Sequence, residues 1–373
     1  GEPGTERSAV LARAGSGLAA LMLAVVVPVV VAAPGLDCRR VTIVGSDGSP
    51  VTGAEDLAVD RVAGRLYLSA FDRRAVDEAV EAEATGLPQG AIYAVPLTQV
   101  RQRPAELRLR VVAAGGGDSF HPHGIALRGS GEGRRLVAID HGYRRAENGW
   151  ERQTAIVVYR PAEDGLVVER RTHDRRLCRA NDLVGVGADK LLISRDHGAC
   201  GGVGMWLENV LGLGRAEVVL TGTGEGVQSV ARGIGLANGI ALSPDGRMLA
   251  VAASREQQIR LYAVADLLEG GPGEPVRTIE LDGGPDNLDW PAPGRLLAAV
   301  HPSLLAIGMA RHGWFGIKRP GSRVVAVEPT SGRVRTLFDD PEGSTLSAAS
   351  SAVEFEDTLV VGSLLDHALA VCR

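Results

Sequence analysis

The residues best suited to chemistry in this chain are oxygen donors and imidazoles at the heads of similar apolar phrases. Glu55 begins "EDLAVDRVAGRLYLSA", His123 begins "HGIALRGSGEGRRLVAIDH" and Asn181 begins "NDLVGVGADKLLISRDH". Asn238 begins "NGIALSPDGRMLAVAAS", Asp286 begins "DNLDWPAPGRLLAAVH" and Ser351 begins "SAVEFEDTLVVGSLLDH". Two carboxylates and several amide oxygens, with no thiolate, form a hard oxygen set. Calcium accepts such donors in loose six- to eight-fold shells, whereas zinc favours His and Cys. The candidate ligands are Glu55, Asn181, Asn238, Asp286 and Asn287. Asp56, Asp182 and the backbone carbonyl of Ile125 form a second candidate set, deeper along the same axis. Any one Asn or Asp at a strand start reads as a turn residue. Five at equivalent positions instead form a donor set.

Histidines gather at the same end. His123 opens a first strand, while His141, His197 and His301 each follow a second strand, in "AIDH", "SRDH" and "AVHP". An unperturbed imidazole titrates near neutrality and takes a proton from water, most readily when a second group orients it. Such a base beside a cation-polarised carbonyl is the minimum equipment for hydrolysing an ester or lactone. His121, in "DSFHPHGIAL", falls outside the repeated position and reads as structural.

The elements that must position these groups follow from the repetition itself. Each phrase is a polar pair, an apolar strand, a turn and a second apolar strand, and the copies lie about 50 to 70 residues apart. A further strand follows most copies, as in "AIYAVPL", "AIVVYRP", "IRLYAV" and "RVVAVEP". Three or four strands per repeat describe a propeller blade. The expected fold is therefore all-β, a six-bladed β-propeller. Its innermost strands surround one axis, so Glu55, His123, Asn181, Asn238 and Asp286 converge. A β-sandwich is the rival architecture, but it does not explain a polar pair at the head of every repeat.

Composition agrees. Across 373 residues there are 49 Gly and 19 Pro with 4% aromatics, which suits many short strands and tight turns. The net charge is −5 and the basic residues are scattered, so no nucleic-acid partner is expected. Between Arg13 and Asp37 no charge appears, and "LAALMLAVVVPVVVAA" is long enough to enter a bilayer of about 30 Å. Residues 1–36 thus read as a signal peptide or signal anchor, and 37–373 as the propeller catalytic domain. The implied location is extracytoplasmic, secreted or membrane-anchored, with membrane association through the N-terminal segment. Four cysteines are present. In an oxidising compartment a Cys38–Cys372 bridge would join the ends of the domain. Cys178 and Cys200 fit either a second bridge or free thiols. "GMWLENVLGLG" from Gly204 carries Trp206, Leu207, Val210 and Leu211 at helical spacing; it is expected to form a lid packed on its own blade, with covering the channel mouth or touching a membrane as the alternatives. No GxSxG elbow, HExxH or Walker loop competes for function.

The combination of "AEDLAV", "HPHGI", "AIDH", "ANDLVGVG", "LANGIALSPDG", "PDNL" and "LLDHALAVCR" resembles the serum paraoxonase/arylesterase family from Cys38 to Cys372. That resemblance implies a six-bladed propeller with two calcium ions hydrolysing lactones and aryl esters. It implies a catalytic ion on Glu55, Asn181, Asn238, Asp286 and Asn287, and a structural ion on Asp56, Ile125 and Asp182. It also implies a dyad in which His123 activates water and His141 supports it, with His301 and Asp196 at further active-site positions. The terminal disulfide Cys38–Cys372 and a retained N-terminal anchor belong to the same pattern. Departures lie at Val300, where a cysteine is usual, at the extra Cys178 and Cys200, and in the short glycine-rich "GACGGVG" after His197. The rival readings are a sugar-lactonase-like propeller enzyme and a non-catalytic, calcium-stabilised binding propeller.

Overall fold

Apolar alternation in each repeat produces strands that bury both faces between neighbouring sheets, and the chain winds them around one axis. The computed structural model describes residues 36–373 apart from 116–118, 148, 223, 225, 272, 314–315 and 317–318. The apolar leader lies outside the described residues.

Blade I comprises Ala54–Asp60, Arg65–Ala70, Ala91–Pro96 and Arg110–Ala114. Blade II comprises Pro122–Arg128, Arg135–Ala146, Gly149–Ala162 and Gly165–His173. Blades III, IV and V begin with Ala180–Val186, Ala237–Leu242 and Gly284–Ala292, and each is likewise four-stranded. Blade VI takes Ala349–Phe355, Thr358–Ser363 and Ala368–Cys372 from the C-terminus and Cys38–Val44 from the N-terminal side. Glu106–Arg108 adds a fifth, parallel strand at its edge. The expected six-bladed propeller is the observed fold.

Cys38 pairs with Cys372 both in the antiparallel register and as a disulfide, so the ring is closed by hydrogen bonds and a covalent link together. On the loop-entropy model a bridge of this span is worth up to about 5 kcal/mol. Beside it, Asp366 accepts two hydrogen bonds from Arg40 at 2.7 and 2.6 Å and one from Arg319 at 2.9 Å. Cys178 and Cys200 also form a disulfide, which the sequence left open.

The core is divided into six apolar clusters, one at each interface between adjacent blades. Leu66, Leu68, Val360 and Val371 fill the closing interface between blades VI and I. Burying each leucine contributes roughly 1.5 to 3 kcal/mol. These clusters hold the inner strands rigid around the axis, which the site requires.

Candidate active site

Every innermost strand breaks register where its polar residues sit. The shifts fall between Ala54 and Asp56, Pro122 and Ile125, Ala180 and Leu183, Ala237 and Ile240, Pro285 and Leu288, and Ala349 and Ser351. A bulge inserts an unpaired residue and re-aims its side chain. Repeated around the ring, it directs Glu55, His123, Asn181, Asn238, Asp286 and Ser350 to the tunnel. Two glycines make the crowding possible. A β-carbon on Gly124 would meet Asn181 O at 2.6 Å, and one on Gly239 would meet the Asn287 α-carbon at 2.4 Å.

At the top of the tunnel Asn287 Nδ2 donates to Glu55 Oε1 at 2.9 Å, and His301 Nε2 meets Asp286 Oδ2 at 2.8 Å. The sixth blade ties in through Ser350 Oγ, which donates to the Glu55 carbonyl at 2.7 Å. What remains is informative. Glu55 Oε2, Asn181 Oδ1, Asn238 Oδ1 and Asn287 Oδ1 are all buried without a hydrogen-bond partner. Buried polar atoms are nearly always satisfied, and each orphan costs about 1 to 3 kcal/mol. Three orphaned amide oxygens, with a carboxylate oxygen that has only the Arg73 ion pair at 3.6 Å, are a donor set a hard cation takes. Burial pushes the Glu55 carboxyl up, against the opposing pull of Arg73, and the nearby Asp286 adds to the rise. Among the described residues no group of three His, Cys, Asp or Glu side chains forms a metal cluster, so the fit depends on the amide oxygens.

One step further along the strands, Asp56 accepts from the Leu57 and Ile125 amides at 2.8 and 2.7 Å. Asp182 accepts from the Leu183 and Ile240 amides at 2.7 and 2.8 Å. Each carboxylate thereby bridges its own blade to the next. Burial raises both carboxyls, and their mutual repulsion raises Asp56 further. Both line a cavity of about 250 Å³. This second pocket of negative charge also suits a cation.

The histidines sit above. The His123 and His141 rings are 4.9 Å apart, tilted, with no hydrogen bond between them. Arg73 Nη2 lies 2.8 Å from His123 Nδ1, and Glu55 Oε2 lies 3.6 Å from both groups. His141 Nδ1 meets Thr154 Oγ1 at 3.3 Å. Burial pushes both imidazoles well below their ordinary range, reinforced by Arg73 at His123 and by Arg152 at His141. Both rings are therefore neutral at physiological pH. His121 is fully buried, with its ring nitrogens on the Pro88 and His141 carbonyls at 2.7 and 3.2 Å, a stitching role.

Asp196 is bound bidentately by Arg179 at 2.8 and 2.9 Å and by His197 Nδ1 at 2.7 Å. Burial alone would raise its carboxyl, but Arg179 and His197 outweigh that and hold it far below the usual range. His197 also meets Asn209 Oδ1 at 2.9 Å. Burial disfavours its charged form, yet Asp196 more than compensates and its pKa rises.

Arg73 escaped sequence reasoning because it lies outside the repeated phrase. The available signal was "FDRR": Asp72 caps the helix Arg73–Glu81, fixing where Arg73 projects, and Phe71 stacks under its guanidinium at 4.1 Å. The expected lid is corrected. The helix spans Gly202–Leu211, and its polar side faces the propeller through Glu208, which accepts from the Gly198 and Ala199 amides, and through Asn209. Trp206, Leu207, Val210 and Leu211 are exposed instead of packed. The buried carboxylate–amide bonds outcompete apolar packing on a short helix at the rim.

A six-bladed propeller with buried unpaired oxygens on its axis and neutral imidazoles at its mouth is the class that fold and site define. A family model described as Arylesterase matches residues 80–372, and the chain belongs to that family. It is similar to serum paraoxonase/arylesterase 2 of Gallus gallus, 28% identical over 294 residues, covering 75% of this chain and 76% of the relative. It is also similar to serum paraoxonase/lactonase 3 of Oryctolagus cuniculus, 26% identical over 290 residues with the same coverage. Among solved structures, a luciferin-regenerating enzyme superposes with a TM-score of 0.50 at 14% identity, covering 91% of this chain and 96% of that one. That likeness concerns the fold alone.

Proposed function

We propose that the protein is a calcium-dependent hydrolase of lactones and aryl esters, acting in an extracytoplasmic compartment. The partnerless amide oxygens of Asn181, Asn238 and Asn287 and the Glu55 carboxylate, beside a pair of neutral imidazoles, carry this reading. Glu55, Asn181, Asn238, Asp286 and Asn287 would hold the catalytic ion, and Asp56, Ile125 and Asp182 a structural one. A calcium ion bound in the first set polarises a carbonyl and stabilises charge developing on its oxygen.

The chain's own groups supply the proton chemistry. When the neutral His123 ring carries its proton on Nε2, Nδ1 accepts from Arg73. The proton moves to Nδ1 only when Arg73 releases that nitrogen and turns to Glu55, and Nε2 is then free as a base. In that tautomer Nε2 takes a proton from water, the water oxygen attacks the carbonyl carbon, and the acyl C–O bond breaks as the leaving oxygen gains a proton. His141, fixed by Thr154, packs against His123 and orients it. His301 orients Asp286, as a hydrogen-bonded neighbour of a ligand does, and Asp196 maintains the charge balance of Arg179. Both disulfides, together with the apolar N-terminal segment, support the extracytoplasmic location.

The test is hydrolysis of a lactone panel beside phenyl acetate with calcium, with chelator, and after calcium is restored. Turnover that disappears and returns supports the proposal. Folded, calcium-loaded protein that hydrolyses none of them would overturn it in favour of a binding propeller.

A further inference from the structure

Beside the imidazole pair opens a cavity of about 480 Å³ lined by Arg144, Arg152, Thr154, Arg175 and the Cys178–Cys200 disulfide. Thr154 connects it to the chemistry, since the same hydroxyl that meets His141 also donates to the Cys178 carbonyl at 3.3 Å. Three guanidinium groups line the cavity, those of Arg144, Arg152 and Arg175, and one of them is already neutralised. Arg144 pairs with Glu151, while the lining carboxylate Asp174 is taken by Arg176.

Of the two that remain, Arg175 and Arg152, it is Arg152 whose charge bears on both imidazoles. The cations around it all have partners: Arg73 lies beside Glu55, Arg179 is held by Asp196, and Arg311 by Asp77. Among the described residues the exposed Arg152 guanidinium makes no hydrogen bond or ion pair. The surrounding wall strips part of its hydration and Arg179 repels it, together lowering its pKa to about 10, so it remains charged. An exposed guanidinium with no protein partner, among cations that have theirs, is available to an anion from solution, and its planar fork matches a carboxylate or phosphoryl group. Thr154 lines the cavity and meets His141 at 3.3 Å, which puts such an anion within a substrate's length of the imidazole pair.

We propose that this cavity is an anion subsite, in which Arg152 fixes an anionic substituent of the lactone or ester substrate. The proposal rests on the hydrolase reading and narrows it to substrates that carry a negative charge away from the scissile bond. Neutral, purely apolar lactones would then be the poorer substrates.

The experiment compares paraconate, a γ-lactone bearing a carboxylate, with its uncharged primary amide. The calcium-loaded enzyme is expected to prefer the carboxylate by about 10-fold or more in kcat/KM, the scale of one charge-assisted hydrogen bond. Added salt should shrink that preference. Arg152→Gln should abolish it, mainly through KM, and Arg152→Lys should keep part. Because each ratio is taken within one protein preparation, partial misfolding does not imitate the result. Equal rates for both lactones in the unaltered enzyme, or a parallel loss of both in Arg152→Gln, would sink the subsite while leaving the hydrolase intact. If neither lactone is opened, calorimetric titration with tetrahydrofuran-3-carboxylate decides. Binding that disappears in Arg152→Gln upholds the subsite although the hydrolase reading fails, and absence of binding overturns it.

Discussion

Replacing one cage amide by an apolar side chain of similar volume should change stability in opposite directions with and without calcium. Asn238→Leu is the clearest case. Its Oδ1 is buried and partnerless, so in calcium-free protein it contributes only the penalty of an unsatisfied polar atom. That penalty is about 1 to 3 kcal/mol, and leucine removes it. With calcium present the same oxygen becomes a ligand, and its loss weakens the site. Across Asn181, Asn238 and Asn287 the three penalties sum to about 3 to 9 kcal/mol, comparable to the whole stability of an ordinary domain. Chelation should therefore lower the unfolding midpoint of the unaltered protein sharply. The assay is thermal unfolding of both proteins in calcium and in chelator. Asn238→Leu should unfold below the parent in calcium, and at or above it in chelator. A variant that falls below the parent by the same amount in both conditions would refute the argument that a cation satisfies these oxygens.

Three further outcomes are expected. His123→Gln should lose most lactone turnover yet keep the calcium-induced rise in unfolding temperature; hydrolysis at the parental rate would remove His123 as the base. Burial, together with Arg73 and Arg152, holds His123 and His141 well below 6.5, and a bound cation pushes the same way, so the base stays neutral until pH falls well under that value. The pH profile of kcat/KM should accordingly be flat from about pH 6.5 to 8, and an acid limb centred at 6.5 or higher would contradict this. Arg40 and Arg319 overcome the effect of burial on Asp366 and hold its carboxyl at about 2, below the ordinary 3.8 of an aspartate, which corresponds to about 2 kcal/mol. Because the folded-state pKa is the lower one, this stabilisation is complete above about pH 5 and is lost as pH falls toward 2. Asp366→Asn should be less stable by about that amount at pH 7, with the difference shrinking in acid denaturation measured below pH 4.

Much of the architecture was legible in the sequence because propeller blades are locally coded. Each strand–turn–strand phrase carries its own alternation, and repetition around an axis forces equivalent positions to face one another, so Glu55, Asn181, Asn238 and Asp286 could be grouped before any coordinates. The paired termini were legible for a related reason: Cys38 and Cys372 bracket the domain, and a ring must close.

Tertiary structure decided what depends on residues outside that repetition. The register breaks that turn each polar pair inward are properties of strand pairing. Arg73 reaches His123 because a capped helix follows blade I's second strand, and Arg152 overlooks the site because blade II's long middle strands run on past their neighbours. The rim helix presented the opposite error: its apolar spacing suggested packing, but Glu208 and Asn209 found buried partners, leaving Trp206 and its neighbours in solvent. Periodicity reports which side chains share a face. Which face turns inward is set by the partners waiting there, and those come from distant parts of the chain.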